Sequence, residues 1–115
     1  MTKMFLITTF CFFSTVSAFG EHVTLYCLHS SKPNSTLRVD FNAPAPDSIV
    51  LENQDHYLDN GFLADQQFDP SSIIFDIQDT RKKFWLPKDV VDGTATHTNV
   101  RLGLTGENIY SCIRQ

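Results

Sequence analysis

The sequence predicts an all-β fold, a small sandwich or barrel of about seven short strands with one terminal disulfide. Three observations carry that prediction. Apolar β-formers alternate with polar residues at period two through most of the chain. Turn residues interrupt the pattern at short intervals, and no amphipathic run of three helical turns appears. Cys27 and Cys112 stand near the two ends of the predicted domain, placed to staple its first strand to its last.

Residues 1–18 are set apart as a secretory leader. Lys3 gives a positive start, residues 4–13 (MFLITTFCFF) an apolar stretch, and residues 14–18 (STVSA) a polar exit with small residues before the expected cut. The apolar stretch is short for a bilayer span and no second one follows. The expectation is therefore one exported domain, residues 19–115, without stable membrane insertion. Cys11 leaves with the leader. In an oxidising compartment the two remaining cysteines most simply form one disulfide. The closed loop spans 85 residues, and chain entropy assigns such a closure about 4–5 kcal/mol. For so small a domain that is comparable with the whole expected stability.

The elements follow in order. Residues 22–28 (HVTLYCL) place Val23, Leu25 and Cys27 on one face. Residues 36–41 (TLRVDF) turn Leu37, Val39 and Phe41 inward and Arg38 and Asp40 outward. Pro44 and Pro46 then break the ladder, since proline has no N–H to give. Residues 48–51 (SIVL) read as a short buried strand. Asn60-Gly61, between Tyr57-Leu58 and Phe62-Leu63, suits a two-residue hairpin turn, or else a short helix ending at Gly61. After the turn at residues 69–72, residues 73–77 (IIFDI) and 83–86 (KFWL) form a strand pair around a charged turn. Residues 87–93 (PKDVVDG) hold one helical turn with Gly93 as its stop. Residues 94–104 alternate again, with Val100, Leu102 and Leu104 on one face and His97, Asn99 and Arg101 on the other. A turn at residues 105–108 leads to the last strand, residues 109–113. The staple puts first and last strands side by side or face to face.

Charge narrows the partners. Without Lys3, eight basic residues oppose thirteen acidic ones, a net charge of about −5. An acidic surface repels nucleic-acid backbones and anionic lipids, so nucleic acid is not an expected partner.

Few residues are spaced for chemistry. His22, His29, His56 and His97 have no metal-binding spacing, and His22 and His29 fall on opposite faces of their strand. Asp55-x-x-x-Asp59-Asn60-Gly61 has the glycine of a calcium loop but lacks its alternating ligands and terminal glutamate. No metal or cofactor is expected. Acid–base hydrolysis of the small fungal ribonuclease type needs a glutamate base, a histidine acid and an arginine on phosphate. Glu52, Glu107, His56, His97, Arg38 and Arg101 supply those types, and the fold must decide whether any set converges. No serine or cysteine nucleophile motif is present. Asn34-Ser35-Thr36 is a sequon that marks Asn34 for a glycan if the producer is eukaryotic. Arg81-Lys82-Lys83 followed by Phe84-Trp85 is either a solvated turn before a core strand or a binding surface of Arg81, Lys82, Lys83 and Trp85 at a sheet edge.

Two resemblances add to this. The leader ending Val16-Ser17-Ala18, the short mature chain and the long-range cysteine pair resemble small secreted effectors of plant-pathogenic fungi, of the biotrophy-associated secreted protein type. That resemblance implies a compact, non-enzymatic fold delivered into or around host cells, a monomer whose partner is a host protein. In the ribonuclease-like group of these effectors an aromatic-x-Cys follows the leader; here the place reads Leu25-Tyr26-Cys27, one position off, and their long helix has no counterpart. Val23-Thr24-Leu25-Tyr26-Cys27, together with residues 104–112 (LTGENIYSC), resembles the two cysteine strands of an immunoglobulin-type variable domain, with Tyr110 two before Cys112 as in a tyrosine corner. That second resemblance implies an extracellular binding domain with Trp85 packed on the bridge. Phe41 stands near where its strand-C tryptophan is expected, and the chain stops at Gln115 with no final strand.

The function expected from the sequence is therefore a secreted, non-enzymatic effector that binds a host protein. An immunoglobulin-like binding domain and a small ribonuclease-like hydrolase are the alternatives.

Overall fold

The computed structural model describes residues 20–115, so the predicted leader lies outside the described residues. Eight strands and one helical turn follow in chain order. They are β1 (Glu21–His29), β2 (Thr36–Ala43), β3 (Ser48–Asn53), β4 (Leu58–Leu63), β5 (Ser72–Ile77), β6 (Lys83–Pro87), α1 (Lys88–Asp92), β7 (His97–Gly103) and β8 (Asn108–Arg114). Each strand pairs antiparallel with the next, and β8 pairs with β1. The sheet is a closed barrel, which leaves no free edge.

The period-two pattern becomes the wall of the barrel. Val23, Leu25 and Cys27 of β1, Leu37, Val39 and Phe41 of β2, and Ile49 and Leu51 of β3 are buried inside. Phe75 and Ile77, Phe84 and Leu86, Val100, Tyr110 and Cys112 complete the core from the other strands. An eight-stranded barrel is just wide enough for side chains to fill it, and here they do. Each fully buried Leu, Ile or Phe contributes about 1.5–3 kcal/mol. Cys27 and Cys112 face each other across β1 and β8 and form the predicted disulfide, so the staple holds first and last strands side by side.

Residues 57–63 depart from expectation. They form neither a hairpin nor a helix: Asn60 pairs with Val50 and Gly61 with both Ile49 and Ile77 in the middle of β4. Glycine is needed there for space. A Cβ on Gly61 would lie 2.7 Å from Ile49 Cγ1 and 3.2 Å from Ile77 Cδ1. The turn comes earlier, where Asn53 Oδ1 accepts hydrogen bonds from the backbone N–H groups of Asp55 (2.9 Å) and Tyr57 (3.1 Å). β7 also stops earlier than predicted, so Leu104 lies in the following turn and is exposed.

The two ends of the barrel differ. At one end α1 closes the opening with Val90 and Val91, both packed into the core. Gly93 ends that helix in the left-handed region (φ 82°) with its N–H on the Asp89 carbonyl, as predicted. Among the described residues the other end carries no helix. Outside the wall, residues 64–71 cross the outer face of β5. Gln67 replaces a missing strand there: its amide donates to the carbonyls of Ala64 (2.9 Å) and Ile74 (2.8 Å) and accepts from Ile74 N–H (2.8 Å). Under this strap Ala64, Ile74 and Trp85 form a small second cluster.

The immunoglobulin-type expectation is corrected by these observations. The barrel is a simple meander with no Greek-key crossing between two sheets. Trp85 packs in the outer cluster and not on the bridge, which belongs to the interior.

Candidate functional site

The alternation that fills the barrel also fixes what its outer surface shows. One outward row runs across five strands through the pairings Ile113↔Tyr26, Tyr26↔Arg38, Arg38↔Glu52 and Glu52↔Leu58. Beside it lies a groove of about 540 Å³ lined by Tyr26, Leu28, Arg38, Glu52, His56 and Ile113, among others. Tyr26 is 50% exposed, Leu28 61% and Ile113 48%. Arg38 lies 6.0 Å from the centre of the Tyr26 ring, while its Nε donates to Asp40 Oδ2 at 3.0 Å.

Part of the predicted acid–base set meets in this groove. Glu52 Oε2 and His56 Nδ1 are 3.2 Å apart, and Arg38 is the cross-strand neighbour of Glu52. The rest is elsewhere. Glu107 accepts from the N–H (3.0 Å) and hydroxyl (3.3 Å) of Thr105 in the turn before β8. Arg101 donates to the carbonyls of Gly106 (3.0 Å) and Thr105 (3.1 Å) and lies 5.4 Å from the Trp85 ring centre. His97 is four residues from Arg101 along β7, about 13 Å at the rise of a strand.

The remaining predicted residues separate. Arg81 and Lys82 are exposed in the turn before β6, and Lys83 is ion-paired with Asp76 at 2.5 Å. Trp85 is only 8% exposed beneath the strap. These four residues therefore make no common surface: the closed barrel has no edge to present them, and the indole is covered. Asn34 stands exposed in the turn between β1 and β2, which Ser35 N–H closes onto the Lys32 carbonyl at 3.0 Å.

Each histidine has a local partner: His22 with Asp40 (3.0 Å), His29 with Asn108 (3.1 Å), His56 with Glu52 and His97 with Thr96 (3.1 Å). Asp59, Asn60 and Gly61 lie within β4 and form no loop. Among the described residues no group of three metal-ligating side chains gathers.

A second concavity, about 200 Å³, lies at the barrel end opposite α1. Its floor includes Leu37, Leu51 and Tyr110, and its rim includes His29, Lys32, Asn53, Asp59, Lys82 and Asn108. No sequence motif marked this mouth. The available signal was that the inward positions of β1, β3, β4 and β8 turn polar at the same end, at His29, Asn53, Asp59 and Asn108.

Fold and surface together define a closed, disulfide-stapled antiparallel barrel with a filled interior, an amphipathic groove on its wall and one open mouth. Comparison with protein families, with curated proteins and with solved structures finds no match for the chain.

Proposed function

We propose that this chain is a secreted, non-enzymatic effector that binds a host protein through the outer groove of β8, β1, β2 and β3. One observation carries the reading: Tyr26, Leu28 and Ile113 lie together, each close to half exposed or above it, on a wall whose outward positions are otherwise mainly polar. Tyrosine and arginine are both enriched among the residues that anchor protein interfaces. The disulfide and the leader-like start support export. The filled interior leaves the surface and the mouth as places to bind.

The test has two parts. Tagged full-length chain is followed in its producer, alone and in contact with a host; accumulation at or inside host cells is expected. Retention on the producer's own surface overturns the effector reading. Tyr26→Ser combined with Ile113→Ser changes only outward side chains, so it should unfold like the parent. It should also lose the host protein that the parent can be crosslinked to.

A second reading is favoured by the contact between Glu52 and His56 beside Arg38. In it, Glu52 takes a proton from a nucleophilic hydroxyl, His56 gives one to the leaving oxygen, and Arg38 holds a phosphate. It ranks below the first because His56 is 86% exposed, so nothing excludes water, and because Arg38 is engaged by Asp40. Cleavage of single-stranded RNA that disappears in Glu52→Gln would establish it.

A further inference from the structure

We infer that the open mouth of the barrel is a binding site for a small organic anion with an apolar body. The inference does not use the Tyr26, Leu28 and Ile113 side chains of the outer groove, although Asn53 borders both concavities. It begins with His29, the last inward residue of β1. The His29 ring accepts hydrogen bonds at Nδ1 from the backbone N–H groups of Ser31 (3.0 Å) and Lys32 (3.1 Å). Nδ1 therefore carries no proton, and the ring's one N–H is at Nε2. That N–H points at Asn108 Oδ1, 3.1 Å away. The contact orients the Asn108 amide, using its oxygen and leaving its NH₂ as the group offered to the mouth.

Asn53 is oriented the same way. Its Oδ1 accepts from the backbone N–H groups of Asp55 and Tyr57, which again leaves the NH₂ unused by the described residues. The same rim carries the ammonium groups of Lys32 and Lys82. Donors thus dominate, with Asp59 the one carboxylate among the lining residues. Glu107 senses Lys82 but is already held by Thr105. Two amide NH₂ groups and two ammonium groups over an apolar floor suit a carboxylate or phosphate head on a short hydrophobic body. The opposite end of the barrel is stoppered by Val90 and Val91. The cavity of about 200 Å³ holds the volume of roughly seven waters, which fits a compact head and ring but not a lipid chain.

The test is a titration of the folded chain, disulfide intact, with benzoate, phenyl phosphate and the neutral benzyl alcohol, read by amide chemical shifts in NMR. Saturable shifts centred on Lys32, Asp59, Lys82 and Asn108 are expected for at least one anion. The preferred anion indicates whether the head is a carboxylate or a phosphate. Lys32→Gln with Lys82→Gln should weaken binding about tenfold or more. Asp59→Asn, which removes the opposing charge, should tighten it, an outcome that a merely damaged fold would not give. Tyr26→Ser with Ile113→Ser should bind as the parent does, which separates this site from the outer groove. No saturation by about 10 mM, equal binding of benzyl alcohol, or an unchanged affinity in the double-lysine variant overturns the inference.

Discussion

Cys27 of β1 and Cys112 of β8 stand directly opposite each other, Cα atoms 4.0 Å apart, on the two strands whose pairing closes the barrel. The bond therefore locks the seam that joins the first strand to the last, and it constrains an unfolded loop of 85 residues. Cys112→Ser should lower unfolding free energy by about 4 kcal/mol. Denaturant melts of the oxidised and reduced parent check it, because reduction should reproduce the loss. An unchanged midpoint on reduction would refute the staple.

The middle of β4 gives a prediction that separates two readings of Asn60-Gly61. If the pair were a hairpin turn, both positions would need special backbone angles. Within a strand only Gly61 is constrained, by Ile49 and Ile77 against it. Gly61→Ala should cost about 1–2 kcal/mol, overpacking outweighing the entropy that alanine saves. Asn60→Thr, outward on the strand, should be neutral or gain a few tenths of a kcal/mol. Thermal unfolding of the two variants decides between the readings.

Local rules made much of the fold legible. The faces Val23-Leu25-Cys27 and Leu37-Val39-Phe41, the stop at Gly93 and the cysteine pair all follow from residues close in sequence or from one simple count. Closure did not, because pairing β1 with β8 depends on register accumulated around the whole sheet. Asn60-Gly61 misled because glycine serves both a left-handed turn and a close approach, and only the neighbours Ile49 and Ile77 distinguish them. Phe84-Trp85-Leu86 is apolar on both faces, so its sequence gives no sign of which side meets the core. The strap beside Trp85 is held by the Gln67 side chain and by backbone bonds at its two ends, Ala64 N–H to Ile74 and Lys88 N–H to Ser71, and has no periodicity to read. At the groove the residue types Arg38, Glu52 and His56 were visible, but their meeting depends on the Arg38↔Glu52 pairing and the tight turn at Asn53.

That strap is itself testable. Gln67→Ala removes three hydrogen bonds and leaves the Ile74 N–H without its acceptor, while the Ile74 carbonyl keeps the Ala64 N–H, a loss of about 1–3 kcal/mol. The chain has a single tryptophan, so fluorescence reports directly on the strap. Trp85 emission should shift to the red and become more accessible to a neutral quencher in the folded variant. Unchanged emission would mean that Ala64, Ile74 and Arg101 cover the indole without help from Gln67.

The acid limb of the stability curve should depend on Asp40. On the outer face of β1 and β2 this carboxylate accepts from Thr24 Oγ1 (2.6 Å), His22 Nε2 (3.0 Å) and Arg38 Nε (3.0 Å). Partial burial pushes its pKa up, but the hydrogen bonds from Thr24 and His22 and the charge of Arg38 outweigh that and hold it below the usual value. A carboxyl whose folded pKa lies below its unfolded one stabilises the fold fully above the unfolded value, about 4. That contribution is lost as pH falls from there through the depressed folded value. Asp40→Asn should therefore cost about 1–2 kcal/mol at neutral pH and less in acid, so that the two curves converge below about pH 4. Asp69 and Glu107 are depressed in the same direction by hydrogen bonds in their own turns. Some acid sensitivity should consequently persist in the variant. Urea midpoints for parent and Asp40→Asn from neutral pH down to about 2 measure the difference, and parallel curves across that window would show that the Thr24–Asp40–Arg38 cluster is not what the acid limb reports.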